Sequence, residues 1–159
     1  MSSQMIESHR ETAETHTGED ICKQKTQSLL TKYNLPKGLI PMTDVTEVGH
    51  NTTTGFVWVR RKKKSQHLFS EIGRKVSYDV EVTAFVEEGR MRNLTGVKSK
   101  ELLIWVGISD IFVGDHNNGK ITFVFFEGIS STTTTGCFQL FINLHFGLFS
   151  LFAFDKLSL

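Results

Sequence analysis

The segment 76–86, VSYDVEVTAFV, constrains the fold most. Val76, Tyr78, Val80, Val82, Ala84 and Val86 alternate with Ser77, Asp79, Glu81, Thr83 and Phe85. A period of two sustained this long buries as a strand with one covered face, whereas wound as a helix it would scatter its apolar groups around the axis. A half-covered strand needs antiparallel neighbours, and the flanking sequence supplies them. Phe56–Val59 follows the turn-like NTTTG, and Met91–Val97 follows Glu88-Gly89. The run Leu102–Val113 is rich in β-branched residues. Lys120–Phe126 returns after a hairpin turn at Asp115–Gly119, whose Asn-Gly suits positive φ. Ahead of all of these, Glu19–Tyr33 lacks Gly and Pro, carries acids in its first turn and is stopped by Leu35-Pro36-Lys37-Gly38. Ile21, Leu29, Leu30 and Tyr33 are expected to share its buried side. The pattern predicts a mainly β chain, an antiparallel barrel-like or sandwich domain with one N-terminal α-helix.

At 159 residues the chain is long enough for one domain with a real core. Its 18 basic and 17 acidic side chains nearly cancel, which argues against a generally basic nucleic-acid binder. Residues 1–18 are polar and read as a flexible arm, and residues 19–130 form the folded domain. The N-terminal stretch has no apolar core of a signal peptide, and Cys22 and Cys137 are too few and too far apart for a disulfide scaffold. The expected location is therefore cytoplasmic, and the sequons at Asn51 and Asn93 are expected to be unused.

Residues 131–159 differ in character. No Asp, Glu, Lys or Arg occurs from Gly128 to Phe154, and nine of the 13 Phe lie at or after Phe123. Drawn as a helix, 137–154 carries a narrow polar stripe of Gln139, Asn143, Gly147 and Ser150. Its 18 residues reach the lower limit for a membrane span, which leaves peripheral or tail-mediated membrane association open.

The blocks LLTKYNLPKGLIP, TGFVWV, HLFSEIGRKVSYDVEVTAFVE, LTGVKSKELLIWVGISDIFV and GKITF, in this order, resemble the plant family catalogued as domain of unknown function 538. The resemblance covers roughly residues 19–130 and fades in STTTTGCFQLF, where the family's final strand would stand. It implies a mostly antiparallel, barrel-like fold with an N-terminal helix. A remote likeness of that family to lipid-binding domains of the bactericidal permeability-increasing type implies amphiphile binding by analogy.

No catalytic signature is present: no Gly-x-Ser-x-Gly, His-Glu-x-x-His, Cys-x-x-Cys, P-loop or Gly-x-Gly-x-x-Gly. Asp79 and Glu81, two apart on one strand face, have the spacing of a carboxylate pair, but a solvated face is the commoner reading. The six histidines form no ligand cluster, so no metal and no cofactor is expected. The run Arg60-Arg61-Lys62-Lys63-Lys64 is the strongest electrostatic feature. It lacks interleaved aromatics for base stacking, so an anionic headgroup or membrane surface suits it better than nucleic acid. Trp58, Val76, Tyr78, Val80, Val82 and Trp105, taken as inward-facing, would line an apolar cavity, although packing alone also accounts for buried aromatics. The leading expectation is a non-enzymatic protein that binds a lipid or other amphiphile. Two alternatives stand beside it: a hydrolase of a hydrophobic ester, for which only Ser77 and His67 are available, and an interaction protein held to membranes by its tail.

Overall fold

The computed structural model describes residues 1–70, 73–113 and 121–126, with the backbone alone of three short strands beyond them. The elements in chain order are α1 (Ser2–Arg10), β1 (Glu14–Thr17), α2 (Glu19–Lys32), a 3-10 turn (Lys37–Leu39), β2 (Val45–Asn51), β3 (Phe56–Arg61), β4 (Ser65–Phe69), β5 (Arg74–Glu87), β6 (Arg90–Glu101), β7 (Ile104–Val113) and β8 (Ile121–Phe125). The backbone strands are β9 (Ser130–Thr133), β10 (Phe141–Asn143) and β11 (Leu148–Ser150). The hairpin turn expected at 115–119 and most of the Phe-rich segment lie outside the described residues.

The chain is mainly β, as its alternation predicts. One antiparallel sheet runs β1-β2-β3-β5-β6-β7-β8-β9, with β4 also on β5. Among the described residues no ladder joins β1 to β9, so the sheet is not hydrogen-bonded into a closed barrel. β5 organises it. Its N-terminal half pairs with β4 and its C-terminal half with β3 on one side, and both halves pair with β6 on the other. Between these halves β5 bulges: four residues, 79–82, stand where β6 has only Gly96. The basic run crosses from β3 to β4 at the same place.

The inner face carries the main core, in which Val57, Val59, Val76, Tyr78, Val82, Ala84, Val86, Met91, Leu94, Val97, Ile108 and Ile111 form one cluster with Cys22 and Leu30 of α2. Cys22, Thr26 and Leu30 form the buried stripe of α2, spaced by four. Of the expected stripe, Leu30 is buried and Leu29 and Tyr33 pack partly buried against the core, whereas Ile21 is exposed and Cys22 takes the inward place beside it.

The segment 1–18 is not a loose arm. It forms α1 and β1, and α1 lies on the outer face of the sheet, where Ile6, Phe56 and Trp58 make a second small core with Met5, Ala13 and Phe85 at its margin. With only Met5 and Ile6 to bury, α1 is held mainly by polar contacts. Arg10 donates to both carboxylate oxygens of Glu47 at 3.1 and 2.8 Å. Ser2 and Ser3 donate to Glu81 at 2.8 and 2.7 Å, and Asn51 donates to the His9 carbonyl at 2.9 Å.

These contacts make the docking of α1 acid-sensitive. Burial pushes the Glu47 carboxyl up, but the Arg10 and Trp58 donors and the charges of Arg10 and Arg60 more than offset it, leaving its pKa below the ordinary 4.5. Glu81 is lowered too, first by Ser3 and then, against some burial, by Ser2 and Arg60. Both folded values lie below the unfolded ones, so the stabilisation is complete above the unfolded value and drains away as pH falls through the folded value. Denaturant titrations from pH 7 downward should therefore show stability falling below about pH 4.5, with a shallower fall in Glu47→Gln. A flat profile across that interval would contradict the docking described.

Candidate ligand-binding site

The sequence-predicted lining does not come together as one cavity wall. Val76, Tyr78 and Val82 are buried inward in the main core, and the Tyr78 hydroxyl donates to the Leu39 carbonyl at 3.2 Å. Burial raises the Tyr78 pKa well above its usual value despite the Arg61 charge. Trp58 is buried on the opposite face, beneath α1. Val80 is 41% exposed, because the bulge opposite Gly96 breaks the alternation that had placed it inward. Trp105 is 38% exposed. It pairs with Lys100 on the outer face, and the run it belongs to is apolar in both parities, so alternation gave no direction.

The five cations of the basic run are likewise divided. Arg60 turns to Glu81 at 3.1 Å, Glu7 at 3.4 Å and Glu47 at 3.6 Å. Arg61 is 2% exposed, donates to Ser65 and to the Pro41 carbonyl, and stacks over the Tyr78 ring. Only Lys62, Lys63 and Lys64 stand in solvent, with Lys63 near Asp44 at 3.6 Å and Lys64 on Asp79 at 3.0 Å. Arg60 and Arg61 are thus structural, and a five-cation headgroup site does not form. Asp79 and Glu81 are taken up by the same pairings.

Ser77 and His67 do not form a nucleophile–base pair. Ser77 stands opposite Gln66 and His67 opposite Val76, so the ladder puts them on opposite faces, and the His67 ring packs on Phe69. Among the described residues no group of three or more His, Cys, Asp or Glu is gathered to hold a metal.

The structure instead opens a cleft of about 230 Å³ between α2 and the inner face of β1–β3. Leu29, Leu30, Ile40, Val48, Val57, Val59, Val86 and Met91 give it an aliphatic floor, and Trp58 also borders it. Its mouth is polar, with Lys25, Ser28 and Lys32 from α2 and Glu14, His16 and His50 from β1 and β2. Burial, and then the Lys32 charge, push the His50 pKa down against a small opposing pull from Glu14. Its ring lies edge-on to Tyr33, whose hydroxyl is 3.5 Å from Nε2. The sequence did hold a signal for this wall: Lys25, Leu29 and Lys32 follow the i, i+4, i+7 rule, which puts an apolar residue between two cations on one helix face.

A family model described as protein of unknown function, DUF538, matches residues 26–139, more than half of the chain. The chain belongs to this family. The family region begins within α2 and takes in β2 to β8, so it includes most of the cleft floor and Lys32, while Glu14, His16 and Lys25 precede it. The match runs past residue 130, where the motif resemblance was expected to end. No curated protein and no solved structure matches the chain. Among the described residues no helix is long and apolar enough to cross a membrane.

Proposed function

We propose that the chain is a non-enzymatic binding protein that takes the apolar part of an anionic amphiphile into the cleft between α2 and the sheet. One observation carries the reading: an aliphatic floor closed at its mouth by Lys25 and Lys32, two turns apart on the same helix. Apolar groups leaving water drive entry, and the ammonium groups orient an anionic head at the rim. The volume lies below the usual 300–1,000 Å³ of a pocket for a whole small ligand. The cleft therefore suits one ring or a short acyl segment, with the remainder of the amphiphile outside.

A fluorescent fatty acid such as dansyl-undecanoate tests this. Saturable one-site binding is expected, with a melting temperature that rises with ligand concentration, worth about 2.7 kcal/mol at a hundredfold excess over Kd. Lys25→Glu with Lys32→Glu should weaken binding about tenfold or more by reversing the rim charge, and Leu29→Trp should block the floor. Binding unchanged in both variants, or none at all in the parent chain, would sink the proposal.

A further inference from the structure

α1 covers the outer face of the sheet over β2, β3 and the C-terminal half of β5, and among the described residues no other element lies on the rest of that face. Across that part, Leu68, Lys75, Lys100 and Trp105 stand side by side on β4, β5, β6 and β7. Leu68 pairs with Lys75 and Lys100 with Trp105, and the adjoining Val76–Ser99 pair sets Lys75 opposite Lys100. The next outward row carries Gln66, Ser77, Lys98 and Gly107, and the Phe126 ring packs against Gly107. Leu68 and Phe126 are more than half exposed, and all three lysines are exposed. The first carboxylate met along β5 on this face is Asp79, which Lys64 holds. Glu101, at the base of the β6–β7 hairpin, is turned inward to Arg74 and Ser99.

The hairpin tip continues the same chemistry. Its two turn residues, Leu102 and Leu103, are 78% and 92% exposed, and Ile104 beside them is 64% exposed. Leu102 has φ +54°, in the first position of a two-residue turn, where hairpins favour glycine or asparagine. A leucine there is strained and places apolar surface in water, so neither turn stability nor solubility accounts for it.

We propose that this face docks on an anionic membrane surface. The Leu102–Leu103–Ile104 tip enters the acyl boundary, Trp105 lies at headgroup level, and Lys75, Lys98 and Lys100 meet the lipid charges. The proposal is independent of the cleft and stands whether or not the cleft takes a ligand.

The test is flotation of the full chain with phosphatidylcholine vesicles, with and without phosphatidylserine. Binding should require phosphatidylserine, and Trp105 emission should shift to the blue. Lys75→Ala, Lys98→Ala and Lys100→Ala should each lower partitioning about fivefold. Leu103→Asp should lower it about tenfold or more and, at so exposed a site, leave melting unchanged. Leu102→Gly separates membrane contact from folding, since it should relieve the strained φ, so that melting holds or rises while partitioning falls. Equal binding to both vesicle types would overturn the proposal. So would binding that the tip and lysine variants leave intact, which would assign it to another segment such as the Phe-rich tail. A dimer in sedimentation that Leu103→Asp dissociates, with no vesicle binding by the parent chain, would give the face to a second copy and equally overturn it.

Discussion

Trp58→Ala is expected to lower the stability of the chain by about 3–5 kcal/mol. Trp58 is 1% exposed, and its ring lies so close over Gly49 that a Cβ built there would fall 2.0 Å from Cζ2. Its Nε1 donates to Glu47 at 2.7 Å, and the Arg10 guanidinium lies 5.4 Å from the ring centroid. Truncation therefore opens a cavity between Ile6 and Phe56 and removes a donor from a carboxylate that is only partly solvated. A domain stable by about 5–15 kcal/mol loses a large fraction of its margin. Trp58→Phe divides the effect, since it refills most of the volume but leaves Glu47 short of one hydrogen bond, at a cost of about 1–3 kcal/mol. Urea denaturation measures both. If Trp58→Ala cost less than the Phe variant is expected to cost, the second core beneath α1 would not bear on stability.

How much of this was legible follows from where each element takes its stability. The strands β3, β5, β6, β7 and β8 and the helix α2 carry their own local signal, whether alternation as in β5 or an apolar run between turns as in β3 and β7, and their spans agree with the sequence reading to within a few residues. α1 and β1 carry none. Ser2 and Ser3 reach Glu81, Arg10 reaches Glu47 and Asn51 reaches His9, contacts between residues far apart in the chain that leave no local pattern. β4 is a short strand beside the lysines, and its only buried residue is Phe69, so no alternation marks it in the sequence. The directions of Val80 and Trp105 departed from the sequence reading for a related reason. Alternation tells which residues share a face, and the β5 bulge moved Val80 off that face. In Leu102–Val113 both faces are apolar, so alternation could not support the inward direction taken for Trp105, which the structure turns outward. The cleft needed α2 to be placed over β1 and β2, and β2, VTEVGHN, shows no clean period because Gly49 buries beneath the Trp58 ring and Asn51 against His9 of α1 while Val48 buries in the main core.

Gly96→Ala tests the bulge that decides these directions. Gly96 sits at φ +77°, and a Cβ there would lie 2.3 Å from the Glu81 carbonyl oxygen and 3.4 Å from the Asp79 Cβ. The obstacle is backbone, so no side-chain rotation relieves it. The left-handed conformation costs an L-residue about 1–2 kcal/mol, and forcing the 79–82 arch away adds about 1–3 kcal/mol of overpacking. Gly73→Ala is the matched control, because Gly73 has φ +60° with nothing within 4 Å of a built Cβ. It should show the conformational cost alone, so the difference between the two variants isolates the steric one. The displaced arch carries Glu81, which binds Ser2, Ser3 and Arg60, so Gly96→Ala should also loosen α1, seen as faster amide exchange in residues 2–10. Equal costs for the two glycines, with α1 exchange unchanged, would mean that the arch does not rest on Gly96 and that the exposure of Val80 has another cause.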